Sequence, residues 1–513
     1  MINPMLTLDA LFINALTRFG PRVAVWFDGE ALTYHELLKQ GYQVAHALIR
    51  HGVRPGVRVA LAMPNRLEYI VADQGIIQSG GAKVALNDML GDDEVIHILA
   101  NSNSRLAIVA RNRFEVILKR RDELPELETV VGLVPEDECP AGIVSWQAFQ
   151  TSEPAIKPDV LIHPQDLAWL PYTGGTTGRP KGVIHTQQNI CLNLFSHIME
   201  MGLQDDERLL LTSPLSHSAG ILLQAGLLKG ATHYIEQQFD PGKVIERISR
   251  DGVTFTFMVP TMIYRVLDWI ENEILDLDSL RTVLYGAAPI TAGRLRQGIE
   301  CLGPVFMQLY GQSEAPNFVT RLVREDHDPA HPERLLSCGR AVAMAQVRIV
   351  DSNGNDVPTG HSGELVTRTP YNMIGYHGLP EKTAETIVDG WLHTGDIARM
   401  DDDGYVYLLD RKNDMIISGG MNVYTSEVEN VIQDIPGINQ VAVVGLPDDD
   451  WGEAVTAFIV ADTGQTLDTQ HILNQCRSRL SKYKVPKRIV IVENLPITAY
   501  GKTDKKRLRQ HIL

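Results

Sequence analysis

Apolar and polar positions change rhythm along the chain, and that rhythm predicts alternating strands and helices. Near the start, Arg22-Val-Ala-Val-Trp-Phe27 reads as a strand. Thr33 followed by Glu36 has capping-box spacing ahead of Leu37, Gly41, Val44, Ala45 and Leu48, which predicts an amphipathic helix. Strand-like Val57-Arg-Val-Ala-Leu-Ala62 comes next, then a helix with Leu67, Ile70 and Val71 on one face, then apolar Arg105-Leu-Ala-Ile-Val-Ala110. Alternation of this kind implies layered α/β structure.

A Pro-rich stretch of weak periodicity, residues 153–164, leads into apolar Leu167-Ala-Trp-Leu170 and then a cluster of Gly and Thr. Past Asp410-Arg411 the texture becomes compact. A helix is expected after Ser426, strands at Gln440-Val-Ala-Val-Val-Gly445 and Val455-Thr-Ala-Phe-Ile-Val460, and a helix from near Leu467 to Leu480. The expected fold class is multidomain α/β: a large N-terminal layered α/β domain over residues 1–411 and a small C-terminal α+β domain over residues 412–513.

Composition narrows the function classes. With 513 residues, 44% of them apolar, the chain can bury more than one core. Its formal charge of −16 argues against a general nucleic-acid or anionic-membrane binder, so any cations that hold phosphates must be local. No run approaches the roughly 20 apolar residues of a membrane span, and Met1-Ile-Asn-Pro-Met-Leu6 lacks a signal-peptide layout. A cytoplasmic enzyme is expected. Cys139, Cys191, Cys301, Cys338 and Cys476 are scattered without metal or disulfide spacing and read as reduced, core-filling thiols.

The most informative segment is Tyr172-Thr-Gly-Gly-Thr-Thr-Gly-Arg-Pro-Lys-Gly182. Glycines let backbone N–H groups approach an anion, while Thr hydroxyls and Lys181 add donors and charge, so the segment reads as a phosphate cradle. It is not a Walker loop, because Pro180 precedes Lys181 and Gly182 follows it. Glu314 is a hard oxygen ligand suited to a divalent cation, Asp396 can accept hydrogen bonds, and Arg411 offers a planar set of donors.

The segment resembles the signature loop of the adenylate-forming, AMP-binding superfamily of acyl-CoA synthetases, adenylation domains and luciferases. Further motifs recur in the family's order: Gly286-Ala-Ala-Pro289, Tyr310-Gly-Gln-Ser-Glu314, Trp391-Leu-His-Thr-Gly-Asp396, Asp410-Arg-Lys-Asn-Asp-Met-Ile416, Ser418-Gly-Gly-Met-Asn-Val-Tyr424 and Ala499-Tyr-Gly-Lys502. The resemblance implies that Thr173, Gly174, Gly175, Thr176, Thr177, Gly178 and Lys181 bind ATP. Gly286, Ala287, Ala288, Pro289, Tyr310, Gly311, Gln312, Ser313, Asp396, Arg411 and Lys502 join them, with Glu314 and Thr176 at Mg²⁺. Lys502 becomes the catalytic lysine, carried on a C-terminal lid that swings about the hinge at Asp410-Arg-Lys-Asn-Asp414. His217 steers the acid, and Ile221, Gln308 and Ala315 line its pocket. Gly419, Gly420, Trp451, Tyr483 and Lys487 fall where family CoA ligases hold coenzyme A.

Met421, Thr425, Ser313 and Tyr500 depart from the common pattern and weaken the assignment of the acceptor. The expected activity is ATP-dependent activation of an aryl, alicyclic or medium-length carboxylic acid as acyl-AMP, with transfer to coenzyme A. The alternatives are an amide bond synthetase using an amino acid or amine, an enzyme loading a carrier protein, and a non-catalytic nucleotide sensor. The sensor is disfavoured because Lys181, Glu314, Asp396, Arg411 and Lys502 are all present. A homodimer is compatible with the sequence.

Overall fold

The computed structural model describes residues 6–175, 178–270, 276–462, 464–497 and 503–510. Thr33 caps the helix Tyr34–Arg50 as its spacing predicts: Glu36 N donates to Thr33 Oγ1 at 3.2 Å and Thr33 N to Glu36 Oε2 at 2.8 Å. That helix enters a stack of layers built on two nine-stranded sheets.

In the first sheet the parallel strands Phe306–Gln312, Thr282–Tyr285, Phe255–Met258, Arg208–Leu211, Thr232–Ile235 and Val23–Phe27 lie side by side. Ala315–Leu322 folds back antiparallel on Phe306–Gln312. The second sheet centres on parallel Ala82–Leu86, Arg58–Ala62, Leu106–Val109 and Thr129–Gly132, and Gly178–Thr186 joins its edge through Leu167–Trp169. One apolar core holds Leu61 and Ile108 from the second sheet, Leu209 and Phe257 from the first, and Ile70, Leu194 and Leu222 from helices, so helices are sandwiched between the sheets. Separate cores cover the two outer faces.

This layering changes one expectation. The helix Leu67–Ser79 is buried on every side from Tyr69 to Ser79, not on one face, because it runs between two sheets. Asp73, Gln74 and Gln78 are thereby taken into the interior. Cys191, Cys338 and Cys476 fill cores as expected, whereas Cys301 is exposed.

A third sheet pairs Gln346–Val350, Gly363–Arg368, Trp391–Met400 and Val406–Arg411. A fourth begins at Ile416–Ser418 and is dominated by the hairpin Ile438–Asp448 and Gly452–Ala461, with the helices Thr425–Gln433 and Thr469–Arg479 packed on its own core. Among the described residues no helix is long and apolar enough to cross a membrane.

Candidate active site

The phosphate-cradle segment forms a hairpin in which Tyr172–Gly175 pairs with Gly178–Thr186 and places Lys181 opposite Thr173. Thr176 and Thr177 lie outside the described residues. The same strand pairs on its other side with Gly375–Tyr376, Val183 facing Tyr376. This pairing sets the Tyr376 ring 4.4 Å from Lys181 Nζ and lets the Tyr376 hydroxyl donate to Glu314 Oε1 at 2.7 Å. Burial lowers the Lys181 pKa from its usual range, opposed by the nearby Glu314. Burial and then Glu314 push the Tyr376 phenol up, so it stays a donor.

A second wall forms where Trp391–Met400 runs antiparallel to Val406–Arg411 with Asp396 opposite Arg411. Arg411 Nε reaches Asp396 Oδ1 at 2.6 Å, and the Tyr310 hydroxyl donates to Asp396 Oδ2 at 2.5 Å. Asp396 is only 5% exposed, yet each carboxylate oxygen has more than one lone pair and can still accept from ribose hydroxyls. The Gly286-Ala-Ala-Pro289 turn leaves the strand Thr282–Tyr285 so close to its neighbour that a Cβ on Gly286 would sit 2.5 Å from the Leu309 carbonyl oxygen. Ala287 adopts φ 68°, a left-handed conformation that costs energy without glycine and is characteristic of functional turns.

His217 directly precedes the helix Ser218–Lys229 and lines a buried cavity with Ile221, Trp169, Lys83, Asp73 and Gln224. Lys83 Nζ lies 2.8 Å from Asp73 Oδ1, and Gln224 Nε2 donates to Asp73 Oδ2 at 2.8 Å. Asn65 stitches the loop before His217: its amide donates to the Ser213 and Glu236 carbonyls at 3.0 Å, and its oxygen accepts from Leu215 N at 2.8 Å. Gln308 and Ala315 do not share this cavity. Gln308 Oε1 accepts from the Tyr285 hydroxyl at 3.3 Å, and Ala315 packs in the core that holds Tyr310 and Tyr376.

His185 bridges the two regions. Its Nε2 bonds the Ser313 carbonyl at 2.8 Å, so Nε2–H is the donor, and its ring stacks on Trp169 with centroids 5.5 Å apart. Burial drives its pKa down to about 4, which keeps it neutral. Gly311 and Gln312 end the strand that carries Tyr310.

In the fourth sheet, Gly419 N donates to the Trp451 carbonyl at 2.8 Å, and Lys487 Nζ sits 4.3 Å from the Trp451 ring centre. Gly419 has φ 59°, which strains any other residue, and its missing Cβ would crowd the indole at 3.1 Å. Gly420 follows at φ 78°, while Tyr483 packs against the small domain's own core. Beside Arg411, Asp410 Oδ2 accepts from Thr425 N at 2.6 Å, and burial raises its pKa to about 6. Lys502 lies outside the described residues.

Among the described residues, no cluster of three or more His, Cys, Asp or Glu could cage a metal. Mg²⁺ takes one or two carboxylates plus substrate phosphates, and Glu314, oriented through one oxygen by Tyr376, fits as the protein ligand. Sequence reasoning missed Tyr376, His185, Trp169 and the Lys83–Asp73 pair. Only the short apolar run ending in Gly375-Tyr376 offered a hint, since Tyr376 and His185 find Glu314 and Ser313 far away in sequence.

The layered, two-part architecture is that of an adenylate-forming enzyme, and the chain belongs to the AMP-binding enzyme family. The family description matches residues 12–377, and that of the AMP-binding enzyme C-terminal domain matches residues 427–502. The chain is 39% identical to a feruloyl-CoA synthase of Amycolatopsis sp over 96% of both proteins. It is 36% identical to a medium/long-chain fatty acid–CoA ligase of Mycobacterium tuberculosis over 97% of this chain and 89% of that one. Among solved structures, the amide bond synthetase McbA from Marinactinospora thermotolerans superposes with a TM-score of 0.88 at 32% identity, covering 99% of this chain and 100% of that one. The protein is an AMP-forming acid–thiol ligase that uses ATP, Mg²⁺ and coenzyme A.

Proposed function

We propose that this ligase activates an aryl, alicyclic or medium-length acid, that residues 1–411 carry the adenylation site, and that residues 412–513 act as a moving lid. The observation that carries the nucleotide assignment is the Tyr310–Asp396–Arg411 contact, which gathers three separate motifs around one buried carboxylate. Asp396 accepts from the ribose, Tyr310 lies against adenine, and Lys181 and Arg411 donate to phosphate oxygens. Mg²⁺, held by Glu314 and Thr176, would neutralise charge on those phosphates.

In the first half-reaction an acid carboxylate oxygen attacks the α-phosphorus, the bond to the bridging oxygen breaks, and pyrophosphate leaves. Lys502 neutralises the charge that builds between acid and α-phosphate. In the second, the sulfur of coenzyme A attacks the acyl carbon, the thiol proton is released, and AMP departs with the electron pair of the acyl–oxygen bond. Gly419, Gly420, Trp451 and Lys487 guide the thiol and its nucleotide. A cytoplasmic location accords with these substrates.

The acid class is our reading of the residues around a small cavity of about 20 Å³, which an acid would have to widen, with an apolar wall at Ile221 and a polar end at Lys83, Asp73 and Gln224. Pyrophosphate release across aryl, alicyclic and straight-chain acids, with and without coenzyme A or amino acids, tests it. Turnover with compact acids and formation of a thioester supports the reading. A preference for long straight chains rejects the acid class, and an amide product without coenzyme A rejects the acceptor.

A further inference from the structure

We propose that His197 is a positioning residue: through Asn317 it holds the turn that carries Glu314, and so sets where that carboxylate meets the metal. The inference rests on the reading of Glu314 as the Mg²⁺ ligand. Glu314 sits in the turn between the antiparallel strands Phe306–Gln312 and Ala315–Leu322. A turn places a side chain only as well as its own backbone is held. Here three carbonyls are claimed by donors from three other segments. His185 Nε2 donates to the Ser313 carbonyl, Met373 N to that of Glu314 and Asn193 Nδ2 to that of Pro316, each at 2.8 Å.

The fourth hold is on Asn317, which adopts φ 63°, a left-handed conformation that a side chain makes costly. Its backbone packs so tightly on the neighbouring strand that a Cβ on Gly311 would lie 2.6 Å from the Asn317 carbonyl. The side chain is held by the imidazole of His197, fully buried on the helix Gln187–Met201. His197 Nδ1 lies 2.8 Å from the Asn193 carbonyl, which can only accept, so Nδ1 carries the proton. Burial lowers the His197 pKa to about 4 and leaves the ring neutral, so Nε2 is an acceptor. Asn317 Nδ2 donates to it at 2.9 Å. Asn193 and His197 stand four residues apart and meet the turn from one face of the helix. That helix is capped by Thr186 and follows directly on the strand Gly178–Thr186, which carries Lys181 and His185. One continuous strand and helix therefore holds both the phosphate-cradle lysine and the turn of the metal ligand.

Binding of Mn²⁺ in the presence of the α,β-methylene analogue of ATP, followed by the paramagnetic signal of free Mn²⁺, tests this without turnover. Asn317→Gly removes the donor yet suits a left-handed backbone, so the chain should fold. Its Mn²⁺ affinity should fall roughly two- to tenfold, the range given by one lost neutral hydrogen bond, while its affinity for the analogue in EDTA stays that of wild type. A loosened fold would weaken the analogue under both conditions. His197→Phe keeps a ring against Phe318 but offers no acceptor, and should lose Mn²⁺ affinity in the same way. His197→Gln returns an acceptor to Asn317 and should recover most of that loss. Unchanged Mn²⁺ affinity in Asn317→Gly, equal weakening of the analogue in EDTA, or no recovery in His197→Gln overturns the inference. Glu314→Gln separates it from the reading beneath. A loss of Mn²⁺ affinity there without one in Asn317→Gly overturns the inference alone, whereas no loss in Glu314→Gln takes Glu314 off the metal and the inference with it.

Discussion

The wall at Tyr310, Asp396 and Arg411 and the cavity beside His217 lie on either side of His185 yet are assembled in different ways. The wall takes Tyr310, Asp396 and Arg411 from strands whose pairing register sets them together, and each belongs to a contiguous motif. The cavity takes Lys83, Asp73, Trp169, His217 and Gln224 from helices, strands and loops that meet only when both sheets close on the helices between them. Chemistry shared by a whole family can reside in short motifs. Fitting of one substrate depends on distant residues, and its parts are individually ordinary.

The largest expected effect falls on the link between the two regions and its surroundings. His185, His197, His233 and His327 are buried and held neutral, each with its pKa lowered to about 4. Between pH 6.5 and 4 the unfolded chain binds protons that the folded chain refuses, so these groups contribute stability at pH 7 that is lost as pH falls. Each is worth about 3 kcal/mol at most by its shift. Urea unfolding at stepped pH should show a steep loss through this window, and an unchanged midpoint would remove the buried neutral histidines from the account.

The Lys83–Asp73 pair sharpens the contrast. Asp73→Ala leaves a buried ammonium uncompensated and should destabilise the fold by about 3–5 kcal/mol, read from urea midpoints. Its partner bond from Gln224 is lost as well. In the wall, Arg411 is half exposed, so removing its partner costs less stability and shows instead in nucleotide use. Asp396→Ala should raise the KM for ATP roughly ten- to a hundredfold through loss of ribose hydrogen bonds. An unchanged KM would reject the ribose role. Tyr310→Phe should produce the smallest change, under about tenfold in the same constant, since the ring remains and one hydroxyl bond to Asp396 is lost.

Much of the fold was legible because local rules agree with it. The capping box at Thr33 and Glu36 forms, the strand expected at Val57 to Ala62 runs from Arg58 to Ala62, and that expected at Gln440 to Gly445 lies inside the longer Ile438–Asp448. The helix Leu67–Ser79 was misread as one-faced because a helix between two sheets needs no exposed face, and its Asp73 finds its partner in the next strand. Tyr376 escaped notice because its role depends on pairing with Val183, almost two hundred residues earlier. Gln308 and Ala315 were grouped with His217 by position in a motif, whereas strand direction carries them to other neighbours.

The central claim is two-step chemistry through an acyl-adenylate, and a single-turnover quench experiment tests it most directly. Enzyme in excess over a labelled aryl or medium-length acid is mixed with ATP and Mg²⁺, and coenzyme A is added in a second push. The account predicts acyl-AMP and pyrophosphate in equal amounts before coenzyme A is added, then decay of the adenylate matched by one AMP per thioester formed. Thioester without a preceding adenylate, or ADP and phosphate in place of AMP and pyrophosphate, would contradict it.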